Sequence, residues 1–120
     1  MQDFKKLIVW QKAFQFIIDT YDKTSGFPVE ERYGLTSQTR RAVVSISNNI
    51  AEGCGRFTSN DFAHFLQMAL GSTTEVENCL LIGKALGYLK VEAFDFLNQQ
   101  NTEIRKMLIS LIDKIRKGKP

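Results

Sequence analysis

The side chains that could carry out chemistry are few in this sequence. The single histidine, His64, follows Asp61 by three residues, which would place both on one face of a helix. A di-metal site in a helical bundle requires two Glu-x-x-His pairs together with glutamates from two other helices, and no second histidine is present. One histidine and two cysteines also fall short of an ordinary structural zinc site. We therefore expect no metal site.

The two cysteines, and the glycines beside one of them, do not form a catalytic or phosphate-binding motif. Cys54 and Cys79 each fall within a helical pattern and outside any Cys-x-x-Cys, which predicts two reduced, partly buried thiols. The run Gly53-Cys54-Gly55 lacks the Gly-Lys-Ser/Thr ending of a phosphate loop and is more typical of a helix end. A histidine-based catalytic triad would have to use His64, and no flanking sequence suggests a nucleophile elbow. The sequence therefore predicts a non-enzymatic protein that needs no cofactor.

Basic residues are the remaining candidates for a functional surface. The chain has a net charge of +3, but residues 105–120 carry six basic side chains and one acidic one. The net charge of this segment is therefore +5, and that of the remaining residues is −2. A basic end can hold a polyanion, although cations also favour a helix C-terminus, where the macrodipole is negative. The candidates for nucleic-acid binding are, first, three arginines and, second, the tail: Arg40, Arg41 and Arg56, then Lys114, Arg116, Lys117 and Lys119.

An alternative interpretation of the arginines is that they form ion pairs within the protein. Glu52 and Arg56 have the i, i+4 spacing of a helical salt bridge, which contributes a few tenths of a kcal/mol. The carboxylates of Glu75 and Glu77, on the next predicted helix, are further partners for the arginines.

Hydrophobic spacing predicts four helices, over about residues 6–23, 36–55, 60–86 and 91–117. Pro28 and the glycine before it end the first helix, Gly87 ends the third, and Thr58 or Ser59 is placed to cap the third. A short helical turn near residues 30–33 is expected before Gly34. No stretch alternates with the period of two of a strand. Residues 1–120 are therefore expected to form one all-α domain, an up-and-down antiparallel four-helix bundle.

Each predicted helix has an apolar stripe that we expect to face the core. The stripes are Leu7, Trp10, Phe14, Ile17 and Tyr21; Ala42, Ile46, Asn49, Ile50 and Gly53; Phe62, Leu66, Ala69, Thr73, Val76, Leu80 and Gly83; and Phe94, Leu97, Asn101, Ile104, Leu108, Leu111 and Ile115. Asn101 is the polar member of the fourth stripe, and a buried asparagine can fix the register of helix packing.

The first two helices carry more apolar surface than one core face needs. On the first helix the combined apolar arc covers roughly 200°, against the ~100° or more of an ordinary surface helix. This surplus predicts self-association, with an oligomer interface formed by two secondary stripes: Val9, Ala13 and Phe16, with Val44, Ser47 and Ala51. The alternative is a bundle wound so that both stripes of each helix face inward.

The composition, 43% hydrophobic and 24% charged, is that of a globular protein. No apolar run approaches the roughly 20 residues that a membrane span needs. The N-terminus lacks the basic-then-apolar order of a signal peptide. We expect a cytoplasmic protein that has no membrane partner.

A spaced motif over much of the chain resembles one bacterial protein family. The motif comprises Leu7-Ile8-Val9-Trp10-Gln11-Lys12-Ala13, Tyr33-Gly34-Leu35, Gln38, Arg40-Arg41-Ala42, Ser45-Ile46, Asn49-Ile50-Ala51-Glu52-Gly53, Phe65-Leu66, Ala69-Leu70-Gly71-Ser72 and Glu75. The family is the four-helix-bundle proteins encoded in intervening sequences of 23S ribosomal RNA genes, often labelled ribosomal proteins. The resemblance covers roughly residues 4–90. Ser47 departs from it, since the family often has proline there.

The resemblance implies a function without a reaction. The family resembles up-and-down bundles assembled into homopentameric rings, and it is similar to accessory proteins of diversity-generating retroelements, which bind a reverse transcriptase and nucleic acid. Two hypotheses follow. The first is a homo-oligomeric, pentameric module that binds ribosomal RNA or other RNA or DNA through its basic surface. The second is a protein–protein adaptor or accessory subunit, for example of a reverse transcriptase.

Overall fold

The computed structural model describes residues 2–118 and contains four α-helices: α1 Ile8–Thr24, α2 Leu35–Cys54, α3 Ser59–Ala85 and α4 Val91–Lys117. Two short 3₁₀ turns, Phe4–Lys6 and Val29–Glu31, precede α1 and α2. Residues 2–118 contain no β-strand. The four helices predicted from hydrophobic spacing are confirmed, and their ends differ from the predicted ones by two residues or fewer.

Local signals in the sequence explain where the helices begin and end. The Thr58 hydroxyl caps α3 by accepting a hydrogen bond from the Asp61 N–H at 3.1 Å. Gly87, just beyond the end of α3, has a φ of +80°, a conformation that other residues rarely adopt. Before α2, the Glu31 carboxylate accepts a hydrogen bond from the Leu35 N–H at 2.9 Å and so caps that helix by a side chain outside it.

Each helix packs against the next helix in the sequence, and α4 packs against α1. The connections are short, so neighbouring helices run antiparallel and the four close into an up-and-down bundle with dimensions of 51 × 22 × 20 Å. The predicted fold class is therefore confirmed. None of the helices within residues 2–118 combines the length and the apolar composition that crossing a membrane would demand.

The core-facing stripes of α3 and α4 lie where the sequence predicted them. All seven predicted positions of α3 are buried, and on α4 only Leu111 and Ile115 are half-buried. Asn101 is fully buried, and its Nδ2 donates to the Thr73 carbonyl oxygen at 2.9 Å. This hydrogen bond joins the middles of α3 and α4 in one register.

On α1, the sequence prediction assigns the two apolar stripes only partly correctly, since Leu7, Trp10 and Ile17 are half-buried against the core. Val9, Ala13 and Phe16, predicted at an oligomer interface, are buried in the core of the single chain. Phe14 and Tyr21, predicted in the core, are instead exposed. The physical reason is that both stripes are apolar, so hydrophobic spacing alone does not decide which of them the other three helices cover.

The α2 residues of the predicted oligomer interface are partly buried in the single chain. Ser47 is buried, and its hydroxyl donates to the Val44 carbonyl oxygen at 3.0 Å, so its prediction as an interface residue is wrong. Val44 and Ala51 are half-buried and keep part of their surface accessible.

Candidate nucleic-acid interface

The antiparallel arrangement gathers basic residues at one end of the bundle, where the N-terminus of α1 meets the C-terminus of α4. We define the terminal end as residues 2–12, 49–64 and 106–118. The Gln2 N–H donates to the Cys54 carbonyl oxygen at 3.0 Å, which fixes the N-terminal segment against the end of α2. Eight basic residues lie in these ranges: Lys5, Lys6, Lys12, Arg56, Lys106, Lys114, Arg116 and Lys117.

Four acids, Asp3, Glu52, Asp61 and Asp113, lie in the same ranges, so the terminal end carries a net charge of +4. The remaining described residues sum to −2. The bundle is therefore charged asymmetrically along its long axis, and a polyanion would be attracted to one end of it.

Half of these basic side chains are neutralised by ion pairs with neighbouring carboxylates. The pairs are Lys5–Asp3 at 3.0 Å, Lys12–Glu103 at 3.4 Å, Arg56–Glu52 at 3.0 Å and Lys117–Asp113 at 3.3 Å. Lys6, Lys106, Lys114 and Arg116 form no ion pair with another residue of the described chain. At the terminal end, these four cations are the ones left available to an external anion.

Three of the four unpaired cations surround a single cleft between the start of α1 and the last turns of α4. The cleft has a volume of about 580 Å³ and is lined by Lys6, Leu7, Ile8, Val9, Lys106, Met107, Ser110, Leu111 and Lys114. No carboxylate lines it. The lysine cleft thus combines a positive rim with an aliphatic floor.

The turn between α2 and α3 adds an arginine and an aromatic ring to the terminal end. The Arg56 guanidinium bonds to Glu52 at 3.0 Å and lies over the Phe65 ring, with its carbon 4.5 Å from the ring centroid. The predicted i, i+4 pair is present, and Arg56 is held in place by it. Phe57, the next residue, is 88% exposed.

The other two arginine candidates lie away from the terminal end. Arg40 is half-buried, its Nε donates to the Thr24 hydroxyl at 3.0 Å, and its guanidinium lies over the Tyr21 ring at 4.4 Å. It therefore anchors the C-terminal end of α1. Arg41 is exposed and forms no ion pair with the described residues, but it lies about 20 Å along α2 from Cys54.

The carboxylates of α3 do not neutralise the arginines of α2. Glu77 pairs with Arg105 of α4 at 3.0 Å, and no ion pair within residues 2–118 joins Glu75 to an arginine. The site predicted from the sequence is therefore divided in two, and Arg56, Lys114, Arg116 and Lys117 share the terminal end. Lys119 lies outside the described residues.

Three residues of the terminal end were missed by sequence reasoning. Lys6 is far from the tail in sequence, so only the topology brings it beside Lys114, and Lys106 was counted in the basic segment 105–120 but not named as a candidate. Phe57 carries a local signal that could have been used, because an aromatic residue between an arginine and a helix cap has no place in a core stripe.

A second surface, on the outer side of α1, is apolar instead of charged. We call the side chains of Trp10, Phe14, Ile18 and Tyr21 the aromatic stripe. Phe14, Ile18 and Tyr21 are exposed, and the Trp10 ring packs against that of Phe14 with centroids 5.1 Å apart. Surplus apolar surface on α1 is thus present, although on the opposite stripe from the one predicted.

The two cysteines of the chain are buried and its single histidine is exposed. Burial raises the pKa of the thiols of Cys54 and Cys79, which keeps them protonated and poorly nucleophilic. His64 is exposed on α3 beside the Phe65 ring. Within residues 2–118 no three histidine, cysteine or acidic side chains are grouped as metal ligands.

Comparisons with known proteins show the family to which the chain belongs. None of the curated proteins compared with the chain matches it. A crystal structure of a protein of unknown function from the S23 ribosomal protein family of Bacteroides thetaiotaomicron is similar, with 29% identity and a TM-score of 0.78. The match covers 88% of this chain and 98% of that one. The model of the family described as 23S rRNA-intervening sequence protein matches residues 5–110, and the chain belongs to that family.

Proposed function

We propose that this protein is a non-enzymatic homo-oligomer that binds RNA or DNA through the basic surface of its terminal end. The observation that carries the proposal is the set of four cations, Lys6, Lys106, Lys114 and Arg116, that lack an ion-pair partner among the described residues. Exposed lysines without carboxylate neighbours are the groups that neutralise backbone phosphates. Ribosomal RNA is one candidate ligand, since the family is described by its link to 23S rRNA genes.

Self-association would strengthen this binding without new contacts. Each subunit of an oligomer repeats the terminal end, so a long nucleic acid engages several sites at a raised effective concentration. The resemblance of the chain to ring-forming bundles favours a pentamer. The exposed aromatic stripe of α1 supports association, because contiguous apolar surface of this kind commonly marks a protein interface.

The test measures nucleic-acid binding by fluorescence anisotropy with labelled RNA and DNA, over a range of salt concentrations. The variant Lys6→Gln/Lys106→Gln/Lys114→Gln should bind about tenfold more weakly, or worse, in low salt. If each lysine contacts one phosphate, the slope of log K against log salt should fall by about 2, since each contact contributes about 0.7 for single strands.

A matched control removes the same charge from the opposite end of the bundle. Arg32, Lys84 and Lys90 are exposed there, and Arg32→Gln/Lys84→Gln/Lys90→Gln should leave affinity and salt slope nearly unchanged. Equal losses in both variants would mean that net charge, and not the terminal end, governs binding. Absence of binding by the unmodified protein in low salt would refute the proposal.

The aromatic stripe also supports a second candidate function, a protein–protein adaptor or an accessory subunit, for example of a reverse transcriptase. Apolar and aromatic surface at Phe14 and Tyr21 could be covered by a different protein instead of a second copy. Affinity capture from host cells, with and without nuclease treatment, distinguishes the two functions. Partners that survive nuclease favour the adaptor, and partners that are lost with the nucleic acid favour the first proposal.

A further inference from the structure

Phe57 is an exposed aromatic residue at a position where the fold does not require one. It lies in the turn of residues 55–58 between α2 and α3, and its side chain is 88% exposed. The turn is ordered on both sides: the Arg56 N–H donates to the Gly53 carbonyl oxygen at 3.1 Å, and Thr58 caps α3. The ring is therefore presented to solvent by a fixed backbone, with little conformational entropy left to lose on binding.

Phe57 has one cation beside it, Arg56, and lies near the lysine cleft. Arg56 is fixed beside it by Glu52 and by the Phe65 ring. Phe57 and Gln2 line the same small hollow, and Gln2 is only four residues before Lys6 on the rim of the lysine cleft. Four residues span at most about 14 Å, so the ring and the cleft are separated by no more than a few nucleotides of a polynucleotide strand.

An exposed aromatic ring near cations contributes differently to the binding of single-stranded and double-stranded nucleic acid. In a duplex both faces of each internal base are covered by stacking, so no base face is open to the Phe57 ring and binding would rest on the contacts of the lysines with phosphates. An unpaired base can stack on an aromatic side chain while its phosphates contact lysines, which is how single strands are commonly held. The aliphatic floor of the lysine cleft is likewise accessible to unpaired bases and not to a duplex backbone.

We infer that the terminal end selects single-stranded nucleic acid, with one unpaired base stacked on Phe57 and neighbouring phosphates on the lysine cleft. This inference rests on the proposed nucleic-acid binding and names its substrate class. Stacking tolerates any base because every base has a π-face, so selection is for strandedness and not for sequence.

The experiment compares a short labelled strand, made as RNA and as DNA, with the same strand annealed to its complement. The unmodified protein should bind either single strand more tightly than the duplex. Phe57→Ala should weaken single-strand binding about fivefold or more and leave duplex binding unchanged, whereas Phe57→Trp should retain single-strand binding. Tyr33→Ala is the matched control, because Tyr33 is 90% exposed beside the 3₁₀ turn Val29–Glu31 at the opposite end of the bundle. This variant should alter neither single-strand binding nor duplex binding.

The possible failures separate the inference from the proposed function. Equal affinity for single and double strands, with no effect of Phe57→Ala, overturns the inference and leaves the proposed function standing. Equal weakening of both forms by Phe57→Ala overturns it as well, since stacking would not affect the duplex. Lack of binding to every strand in low salt removes the proposed function and the inference together.

Discussion

Asn101 is a buried amide whose two polar atoms have different surroundings. Its Nδ2 donates to the Thr73 carbonyl oxygen, but its Oδ1 is buried without a hydrogen-bond partner in the described chain. An unsatisfied buried acceptor costs about 1–3 kcal/mol. The Thr73 carbonyl also accepts from the Arg105 guanidinium at 3.3 Å, so it keeps a side-chain partner when the amide is removed.

We expect Asn101→Leu to raise the free energy of unfolding by about 1 kcal/mol, because it replaces the unsatisfied amide by an apolar group of similar size. Urea denaturation followed by circular dichroism measures the change. Asn101→Ala is the comparison variant, and it should destabilise the protein because it leaves a cavity. A clear loss of stability in Asn101→Leu would show that Oδ1 is satisfied, for instance by a buried water.

Tyr88 and Glu31 tie the start of α2 to the end of α3. The Tyr88 O–H donates to Glu31 at 3.1 Å, and the pKa of the phenol is raised above its ordinary 10.0 chiefly because only the protonated phenol can make this bond. Since the pKa in the folded protein is the higher one, the stabilisation is complete below the unfolded value and is lost as pH rises through the folded value.

We therefore expect Tyr88→Phe to unfold more easily than the unmodified protein at about pH 8, with the difference shrinking as the pH passes above about 10. Denaturation midpoints measured across this range give the difference directly. Tyr33→Phe, at an exposed tyrosine, should show no such pH-dependent difference. A difference for Tyr88→Phe that stays constant at high pH would contradict the assigned hydrogen bond.

At the scale of elements, glycines report how closely α2 and α3 approach. A Cβ at Gly53 would lie 3.0 Å from Cδ1 of Phe62 and 3.1 Å from Cβ of Phe65, whereas a Cβ at Gly71, exposed on α3, would meet nothing within 4 Å. We expect Gly53→Ala to lower the free energy of unfolding by about 1–2 kcal/mol, because overpacking outweighs the gain in helix propensity. Gly71→Ala should raise it by about 1 kcal/mol.

Chemical denaturation of the two variants compares the same substitution at two helical positions. The space around the Cβ differs between them, and Gly53 also lies in the last turn of α2, where the gain in helix propensity is smaller than at Gly71 in the middle of α3. If both variants were stabilised, the contact between α2 and α3 at Gly53 would have to be looser than the structure shows.

The elements were predictable where the deciding interactions are local. Thr58 and Gly87 fix helix ends through their own capping and backbone conformation, so their positions followed from the sequence. The face that α1 turns to the core was not predictable from spacing, because two adjacent stripes are both apolar. Ala13 and Phe14 differ in burial only because the other helices lie on one side, which is a property of the assembled bundle.

The candidate site was predictable only in part for the same reason. Arg56 and the tail cations stand out as charged residues in the sequence, and the structure places them together. Lys6 joins them only because α1 and α4 run antiparallel. The contacts of Arg40 could not be read from spacing, because its partners, Thr24 and Tyr21, belong to another helix.

For the whole molecule, three of the four side chains of the aromatic stripe lie outside the charged terminal end. The terminal end carries +4, while the aromatic stripe runs along the side of α1. Subunits that associate side by side through this stripe would leave their charged ends free. If the protein associates through this stripe, we expect a variant to remove the proposed oligomerisation without removing the proposed nucleic-acid binding.

We expect Phe14→Asp/Ile18→Asp to dissociate the proposed oligomer, because it places two charges where an apolar interface would have to desolvate them. Light scattering coupled to gel filtration measures the mass, which should fall from a multiple of 13.7 kDa, five for a pentamer, to that of one chain. The side chains are 49% and 51% exposed, so the bundle itself should remain folded.

The matched control is Phe96→Asp/Ile109→Asp, two α4 residues that are 45% and 50% exposed. It adds the same charge to equally exposed apolar side chains outside the aromatic stripe and should leave the mass unchanged. Dissociation by both variants would move the interface away from α1 or make it nonspecific. An unmodified protein of 13.7 kDa at micromolar concentration would contradict self-association altogether, and the surplus apolar surface of α1 would then have to be covered by a different partner.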